Sequence, residues 1–116
     1  MGKSQREKGK RGEREVANIF KQYGFTETHR SQQFSGKGES SADCVGVEGL
    51  HLEVKLGYQY KRIYEFREQA IRDAEGSGNI PVVCCRMDRQ PWLAVLDLDD
   101  FINIWKDAEA WRKRNE

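Results

Sequence analysis

The sequence predicts a mixed α/β domain in which helices flank a mixed central sheet. Apolar residues with helical spacing indicate amphipathic helices near both ends of the chain. Alternating side chains around Glu53 are typical of a β-hairpin, and the continuous apolar run at residues 80–85 is typical of a strand buried on both faces. A hairpin followed by a helix and a buried strand favours a sheet with helices packed on its faces.

The N-terminal region combines a basic segment with a first helix. Residues 1–11 carry five basic side chains and one acid, so we expect a flexible basic arm ahead of a single domain at residues 12–116. From about residue 12 to residue 23, one helical face is expected to consist of Val16, Ile19, Phe20 and Tyr23. Gly24 is suited to end this helix, with Phe25 folding back against it.

A strand, a loop and a hairpin are expected next. The strand is predicted at residues 25–31 and the polar loop at residues 36–41. The two strands of the hairpin are predicted at residues 42–47 and 50–57. The core-facing side chains of the second strand are then Leu52, Val54 and Leu56.

The second half of the chain predicts two more helices and two strands, which completes the order α-β-β-β-α-β-β-α. A helix at residues 59–75 is expected to have an inner face of Tyr60, Ile63, Phe66, Ala70 and Ala74. The apolar strand at residues 80–85, a turn at 88–91 and a strand at 92–96 follow. Asp99 or Asp100 is expected to cap the last helix. The core-facing or dimer-facing side of that helix consists of Phe101, Ile104, Trp105, Ala108 and Trp111.

The composition excludes several classes of protein. No apolar stretch reaches the roughly 18 residues of a membrane helix, and none follows the basic N-terminus as in a secretory signal. The formal net charge of +1 does not by itself indicate nucleic-acid binding. The basic cluster at residues 112–114 fits a solvated helix end. Cys44, Cys84 and Cys85 lie in apolar runs without a CxxC motif, which favours buried thiols in a reducing cytoplasm over zinc ligands or disulfides.

The hairpin carries the residues with the clearest chemistry. Glu53 and Lys55 lie two residues apart on one face of a strand, and Asp43 lies on the preceding strand. Carboxylates hold the divalent ion that phosphodiester hydrolysis requires, and a lysine can orient the attacking water or neutralise developing charge. A cross-strand ion pair is the alternative interpretation of the same pattern. His51 shares this strand face and is expected to have a satisfied polar partner.

The register of the hairpin decides whether the two acids meet. A two-residue turn at Glu48 and Gly49 would place Asp43 opposite Val54, on the wrong face. A three-residue loop of residues 47–49 instead places Asp43 opposite Glu53, and such a loop requires a left-handed residue at its last position, Gly49. The nuclease interpretation therefore predicts the longer loop.

Other polar residues are candidates for the same site. Glu13 shares the inward face of the first helix with Val16 and Phe20, although an acid near a helix N-terminus can also serve the helix dipole. Arg30 can hold a phosphate through its guanidinium or form a surface ion pair. Residues of the following loop and of the second helix can line the site or lie on the surface; these are Ser35, Lys37 and Gln59.

An ordered set of residues runs through the chain: Lys8-Gly-Lys-Arg-Gly-Glu13-Arg-Glu-Val16, Tyr23-Gly-Phe25, Arg30, Ser35-Gly36, Asp43, Glu53-Val-Lys55 and the later Gly78-Asn-Ile-Pro-Val-Val83. This set resembles the archaeal-type Holliday junction resolvases of the PD-(D/E)xK nuclease superfamily over residues 8–96. Ala42 replaces the proline that usually precedes the aspartate, and the loop at residues 31–41 is longer. The chain is also similar to the small virus-type replication–repair nucleases of that superfamily.

The resemblance implies a restriction-endonuclease-like core, α-β-β-β-α-β, here followed by a further strand and a C-terminal helix. It implies a homodimer that cuts four-way DNA junctions with Mg²⁺, for which Mn²⁺ can substitute. The implied catalytic residues are Glu13, Asp43, Glu53 and Lys55. The implied metal ligands are Asp43, Glu53, the backbone carbonyl of Val54 and, through water, Glu13. The implied DNA contacts are Lys8, Lys10, Arg11, Arg14, Arg30, Ser35, Lys37 and Gln59.

Several functional interpretations stay open at this point. The leading one is an endonuclease for branched DNA, in a cytoplasmic and nucleoid-associated protein or one encoded by a virus or prophage. A nuclease for flaps or nicked duplex is an alternative within the same class. A non-catalytic DNA-binding domain of the same fold is the alternative from another class, and the complete set of acids argues against it. A small α/β interaction domain would leave the inward Glu13 unexplained.

Overall fold

A computed structural model describes residues 3–34, 37–38, 42–57 and 60–116. The elements are α1 (Lys3–Gln22), β1 (His29–Arg30), β2 (Gln33–Phe34), β3 (Lys37–Gly38), β4 (Cys44–Val45), β5 (Leu50–Leu56), a 3₁₀ turn (Tyr60–Arg62), α2 (Ile63–Ala74), β6 (Ile80–Arg86), β7 (Leu93–Val95) and α3 (Leu98–Arg114). The fold is mixed α/β, as predicted, and is consistent with a restriction-endonuclease-like core. Within the described residues, no helix is long and apolar enough to span a membrane.

The main sheet has five strands in the order β1-β4-β5-β6-β7. Only β5 and β6 are parallel, with Glu53 opposite Val83, and α2 connects them. The other neighbouring strands are antiparallel. β2 and β3 form a separate two-stranded sheet in a region where we expected only a loop from residue 36. The predicted strand at residues 25–31 is reduced to β1.

The two faces of the sheet bury separate hydrophobic clusters, because side chains alternate along β5 and β6. On one face, α1 packs on a cluster that includes Val16, Ala17, Leu52, Val54, Val82 and Cys84. On the other face, α2 packs on a cluster of Phe66, Ala70, Val83 and Cys85. β6 contributes to both clusters, which confirms the prediction of a strand buried on both sides. All three cysteines are buried thiols, and none forms a disulfide.

The first helix is longer than predicted, and the face that it buries differs from the predicted one. It begins at Lys3, so residues 3–11, which we expected to form a flexible arm, are instead helical. Val16 is buried, but Ile19 and Tyr23 are exposed, and Ala17 takes their place in the core. The predicted C-terminus is confirmed: Gly24 has φ +101°, and the amide of Phe25 donates to the carbonyl of Phe20.

The last helix differs most from its prediction. Its cap position is Asp97, one residue before Leu98, and not Asp99 or Asp100. No residue of α3, which is described along its whole length, is buried. The side expected to face the core is open: Phe101 is 47% exposed, Trp105 48% and Trp111 58%. Tyr60, expected on the inner face of the second helix, is likewise exposed.

Candidate active site

The hairpin adopts the register that brings the two acids together. Cys44 pairs with Leu52, so the loop contains residues 47–49, and the same register continued by one residue places Asp43 beside Glu53. Gly49 has φ +92°, the left-handed conformation that the three-residue loop requires. The backbone amide of Asp43 donates to the carbonyl of Leu52 at 2.9 Å, which is one residue out of the register set by Cys44 and Leu52 and ties Asp43 to the same point of β5. The predicted geometric condition is therefore confirmed.

Asp43 is held rigidly at the centre of the site. Its Oδ2 accepts a hydrogen bond from the backbone amide of Val54 at 2.8 Å. Burial raises the pKa of Asp43 to about 7, and the neighbouring charges of Glu53 and Glu13 add to this effect. The Val54 hydrogen bond and Lys55 oppose it. Burial and the two neighbouring acids destabilise the ionised form of Asp43, and a bound cation would stabilise it.

Glu53 and Lys55 face the same side of the sheet, toward α2. Glu53 is only 3% exposed, and its Oε2 lies 3.8 Å from Nζ of Lys55. That ammonium group also donates to Oε1 of Gln69 at 3.5 Å and lies 5.3 Å from the ring centre of Phe66. Two residues of α2 therefore hold the lysine beside the glutamate.

Glu13 reaches the site from α1, as the helical spacing predicts. Its Oε1 accepts a hydrogen bond from Nε of Arg30 at 2.9 Å, so the two candidate residues form an ion pair. Its backbone carbonyl accepts from the thiol of Cys44 at 3.3 Å, which ties α1 to the hairpin. Gly12 allows this approach, because a Cβ there would lie only 3.1 Å from Cβ of Leu56.

All four proposed catalytic residues line one open cleft of about 790 Å³ between α1, β5 and α2. Seven basic and four acidic side chains line it, a net charge of +3. The basic residues are Arg6, Lys8, Lys10, Arg30, Lys55, Arg62 and Arg72. This concentration of positive charge, which the net charge of +1 for the whole chain conceals, is suited to a phosphate backbone.

The structure brings some of the predicted DNA contacts to the cleft and leaves others away from it. Lys8, Lys10 and Arg30 line it, whereas Arg11 and Arg14 are not among its described lining residues. Nε of Arg11 instead lies 3.7 Å from Oε2 of Glu15 on the same helix. Ser35 and Gln59 lie outside the described residues, as does the side chain of Lys37.

Several cleft residues were missed at the level of sequence. Arg62, Phe66, Gln69 and Arg72 recur at three- and four-residue intervals along the 3₁₀ turn and α2. That spacing places the four residues on one helical face. In the sequence, a stripe of polar residues beside the apolar stripe of the helix could have indicated this face. His51 was expected to have a satisfied partner, but its Nε2 has no hydrogen-bond partner among the described residues.

The donor set fits a hard divalent cation. Asp43, Glu53 and Glu13 each line the same cleft with a carboxylate, and Mg²⁺ prefers oxygen ligands. Oε2 of Glu53 is the oxygen beside the cleft lysine, 3.8 Å from Nζ of Lys55. When bound, such an ion would supply charge stabilisation and a more acidic water.

The family of the chain agrees with this geometry. A family model described as "Phage putative PDDEXK endonuclease" matches residues 4–115. The chain belongs to this family. Membership places it in the PD-(D/E)xK superfamily and indicates a nuclease that acts on DNA, of a kind that generally depends on divalent metal ions. No curated protein and no solved structure matches the chain.

Proposed function

We propose that this member of the phage PDDEXK endonuclease family is a Mg²⁺-dependent endonuclease for branched DNA, with the four-way Holliday junction as its substrate. The observation that carries the catalytic part is the hairpin register, since Asp43 and Glu53 meet only in that register. The family description supports an origin in a phage or prophage. Action in the cytoplasm, on DNA of the host nucleoid, is part of the proposal.

In this proposal, each residue of the cleft has a distinct role. Asp43, Glu53 and the backbone carbonyl of Val54 bind the ion, with Glu13 contributing through water. Lys55, held by Gln69 and Phe66, orients the attacking water and neutralises charge on the phosphate. Arg30 contacts the phosphate while Glu13 keeps its guanidinium at the cleft.

DNA binding extends from the cleft along α1. Lys8 and Lys10 lie on the helix at the cleft and are proposed to contact phosphates. Arg11 and Arg14 are proposed to contact DNA beyond the cleft, and Ser35, Lys37 and Gln59 complete the predicted set. Because α1 is helical from Lys3, the basic side chains would approach DNA from a rigid element.

Junction resolution requires two coordinated cuts, and α3 offers a surface for the second copy of the chain that this would need. Its apolar residues lie on one side and are exposed. Its first turn carries Asp99 and Asp100, and its last turn carries Arg112, Lys113 and Arg114. If two copies pair with α3 antiparallel about a two-fold axis, each acidic end lies beside the partner's basic end. This charge complementarity favours a homodimer over an unrelated partner.

A cleavage assay on three substrates tests the proposal. Four-way junction, flap and linear duplex are incubated with Mg²⁺ and either the wild-type chain or Asp43→Asn. We expect the wild type to cut the junction preferentially and Asp43→Asn to cut none of the three. Equal cutting by Asp43→Asn would refute the catalytic assignment. Preference for the flap, or equal cutting of all three substrates, would refute the junction specificity and favour the virus-type repair nuclease.

A further inference from the structure

A polar cluster on the α2 side of the sheet lies behind the nuclease cleft. His51 and Glu53 lie two residues apart on β5 and are 1% and 3% exposed. Their facing atoms, Nε2 of His51 and Oε1 of Glu53, are 3.6 Å apart. Neither atom has a hydrogen-bond partner among the described residues. An unsatisfied buried polar atom costs about 1–3 kcal/mol, so two of them in contact need a physical explanation.

A hydrogen bond between Nε2 of His51 and Oε1 of Glu53 does not provide this explanation. The separation of 3.6 Å exceeds the range of about 2.7–3.2 Å for N–H···O bonds. If Nε2 instead carries its lone pair, it faces a carboxylate oxygen and both atoms are acceptors. A cation placed between them would satisfy both. Two ligands of a tetrahedral ion with bonds near 2.1 Å are about 3.4 Å apart, close to the observed separation.

Asp73 supplies a third ligand from α2. One of its carboxylate oxygens lies within 4.8 Å of a ring nitrogen of His51 and of a carboxylate oxygen of Glu53, and the side chain is half-buried. The three residues thus place an imidazole nitrogen and two carboxylate oxygens around one point, contributed by two elements that pack against each other.

We propose that His51, Glu53 and Asp73 form a second cation site, distinct from the Asp43–Glu53 site and selective for a transition-metal ion over Mg²⁺, with Zn²⁺ as the best match and Mn²⁺ as its paramagnetic substitute. Imidazole nitrogen favours such ions, whereas the oxygen ligands of the nuclease cleft favour Mg²⁺. Glu53 belongs to both sites: Oε1 faces His51, and Oε2 faces Lys55. An ion at the second site fixes the orientation of Glu53 toward the cleft, a consequence that rests on the proposed nuclease function.

The test is pulsed electron paramagnetic resonance of Mn²⁺ added to the untagged full-length chain. A nitrogen ligand produces a ¹⁴N coupling that carboxylates and water do not. The chain has two histidines, and His29 is exposed on β1, so His29→Gln is a matched control for His51→Gln. We expect the coupling in the wild type, in His29→Gln and in Asp43→Asn, and its loss in His51→Gln. Asp73→Asn is expected to weaken Mn²⁺ binding about tenfold by equilibrium dialysis.

The outcomes separate this site from the nuclease proposal. Absence of a ¹⁴N coupling in the wild type overturns the site, as does loss of the coupling in His29→Gln. If His51→Gln fails to fold by circular dichroism, a coupling retained in His29→Gln still assigns it to His51, because no other imidazole is left. Cleavage of DNA without a ¹⁴N coupling refutes the second site alone. A coupling without cleavage refutes the nuclease proposal alone.

Discussion

The β4–β5 hairpin and α3 depart from the usual distribution of side chains in opposite directions. The hairpin buries a glutamate and a histidine almost completely, whereas α3 leaves two tryptophans and a phenylalanine about half exposed. Charged groups are normally outside and large aromatic groups inside. Both departures cost free energy in the isolated chain. Each is explained by a proposed partner: cations at the hairpin and a second copy of the chain at α3.

The positions of the two regions in the fold account for this difference. β5 lies between β4 and β6 in the sheet and is covered by helices on both faces, so its polar side chains are buried by the surrounding structure. α3 follows the edge strand β7 and is held at its start by an ion pair between Arg67 and Asp97. The remainder of α3 extends its apolar side into solvent. Four predictions test this comparison, ordered from the largest expected effect.

Glu53→Gln should separate function from stability in the hairpin. We expect cleavage to fall at least about 100-fold, because the variant loses an ion ligand. The metal-free protein should gain about 1–2 kcal/mol in free energy of unfolding, because a buried charge beside Asp43 is removed. Glu48→Gln, the same change at an exposed position of the same hairpin, should alter neither quantity. Reduced stability of Glu53→Gln in EDTA would mean that Glu53 is a structural ion-pair residue.

Trp105→Glu should break the proposed dimer without affecting the hairpin. A buried tryptophan at an interface commonly contributes about 2 kcal/mol or more to binding. The dissociation constant of the dimer should therefore rise about 30-fold or more. Asn103→Glu introduces the same charge on the opposite side of α3 and should leave the dimer intact. Sedimentation equilibrium measures both. A wild-type chain that remains monomeric at high micromolar concentration would contradict the dimer.

The stability of the metal-free protein should depend on the protonation of Asp43. Its pKa is raised from 3.8 to about 7 in the folded protein, so the folded state binds more protons between those pH values. The free energy of unfolding therefore falls as the pH rises from about 4 to about 7. Because the carboxyl is partly exposed, we expect its contribution to be about 1–2 kcal/mol.

Chemical denaturation in EDTA across this pH range measures the effect, and Asp43→Asn should remove it. Asp88→Asn changes an exposed carboxylate elsewhere and should retain the wild-type dependence. If wild type and Asp43→Asn show the same pH dependence, the carboxyl of Asp43 is not perturbed by its surroundings.

Gln69→Leu should have the smallest effect, because it removes one weak contact of Lys55. The hydrogen bond is 3.5 Å long, and Phe66 still restrains the ammonium group. We expect a 3- to 10-fold lower kcat, equivalent to about 1 kcal/mol, with KM for the junction unchanged. Glu68→Leu, one residue earlier on the exposed side of α2, is the control. A change confined to KM would place Gln69 in DNA binding.

The hairpin was more predictable than α3 because its determinants are local. Gly49 permits the left-handed conformation that the three-residue loop needs, and the loop length sets the register around Asp43 and Glu53. The spacing on α3 correctly indicated an amphipathic helix, but it could not say what covers the apolar side. Arg11 was assigned to DNA from the basic segment and the family resemblance, and the proximity of Glu15 became clear only once that helix had been placed.

The sequence alone determined the local conformations and the order of the acids. The left-handed glycine at 24, a glycine at 49 that permits the longer loop, the buried strand predicted at 80–85 and the Glu-x-Lys pattern follow from neighbouring residues, whose backbone preferences act over a few bonds. Only the tertiary structure decided that Glu13 pairs with Arg30, that Asp73 approaches His51 from another element and that α3 stays uncovered. These features depend on how whole helices dock on the sheet, which is set by packing between residues far apart in the chain.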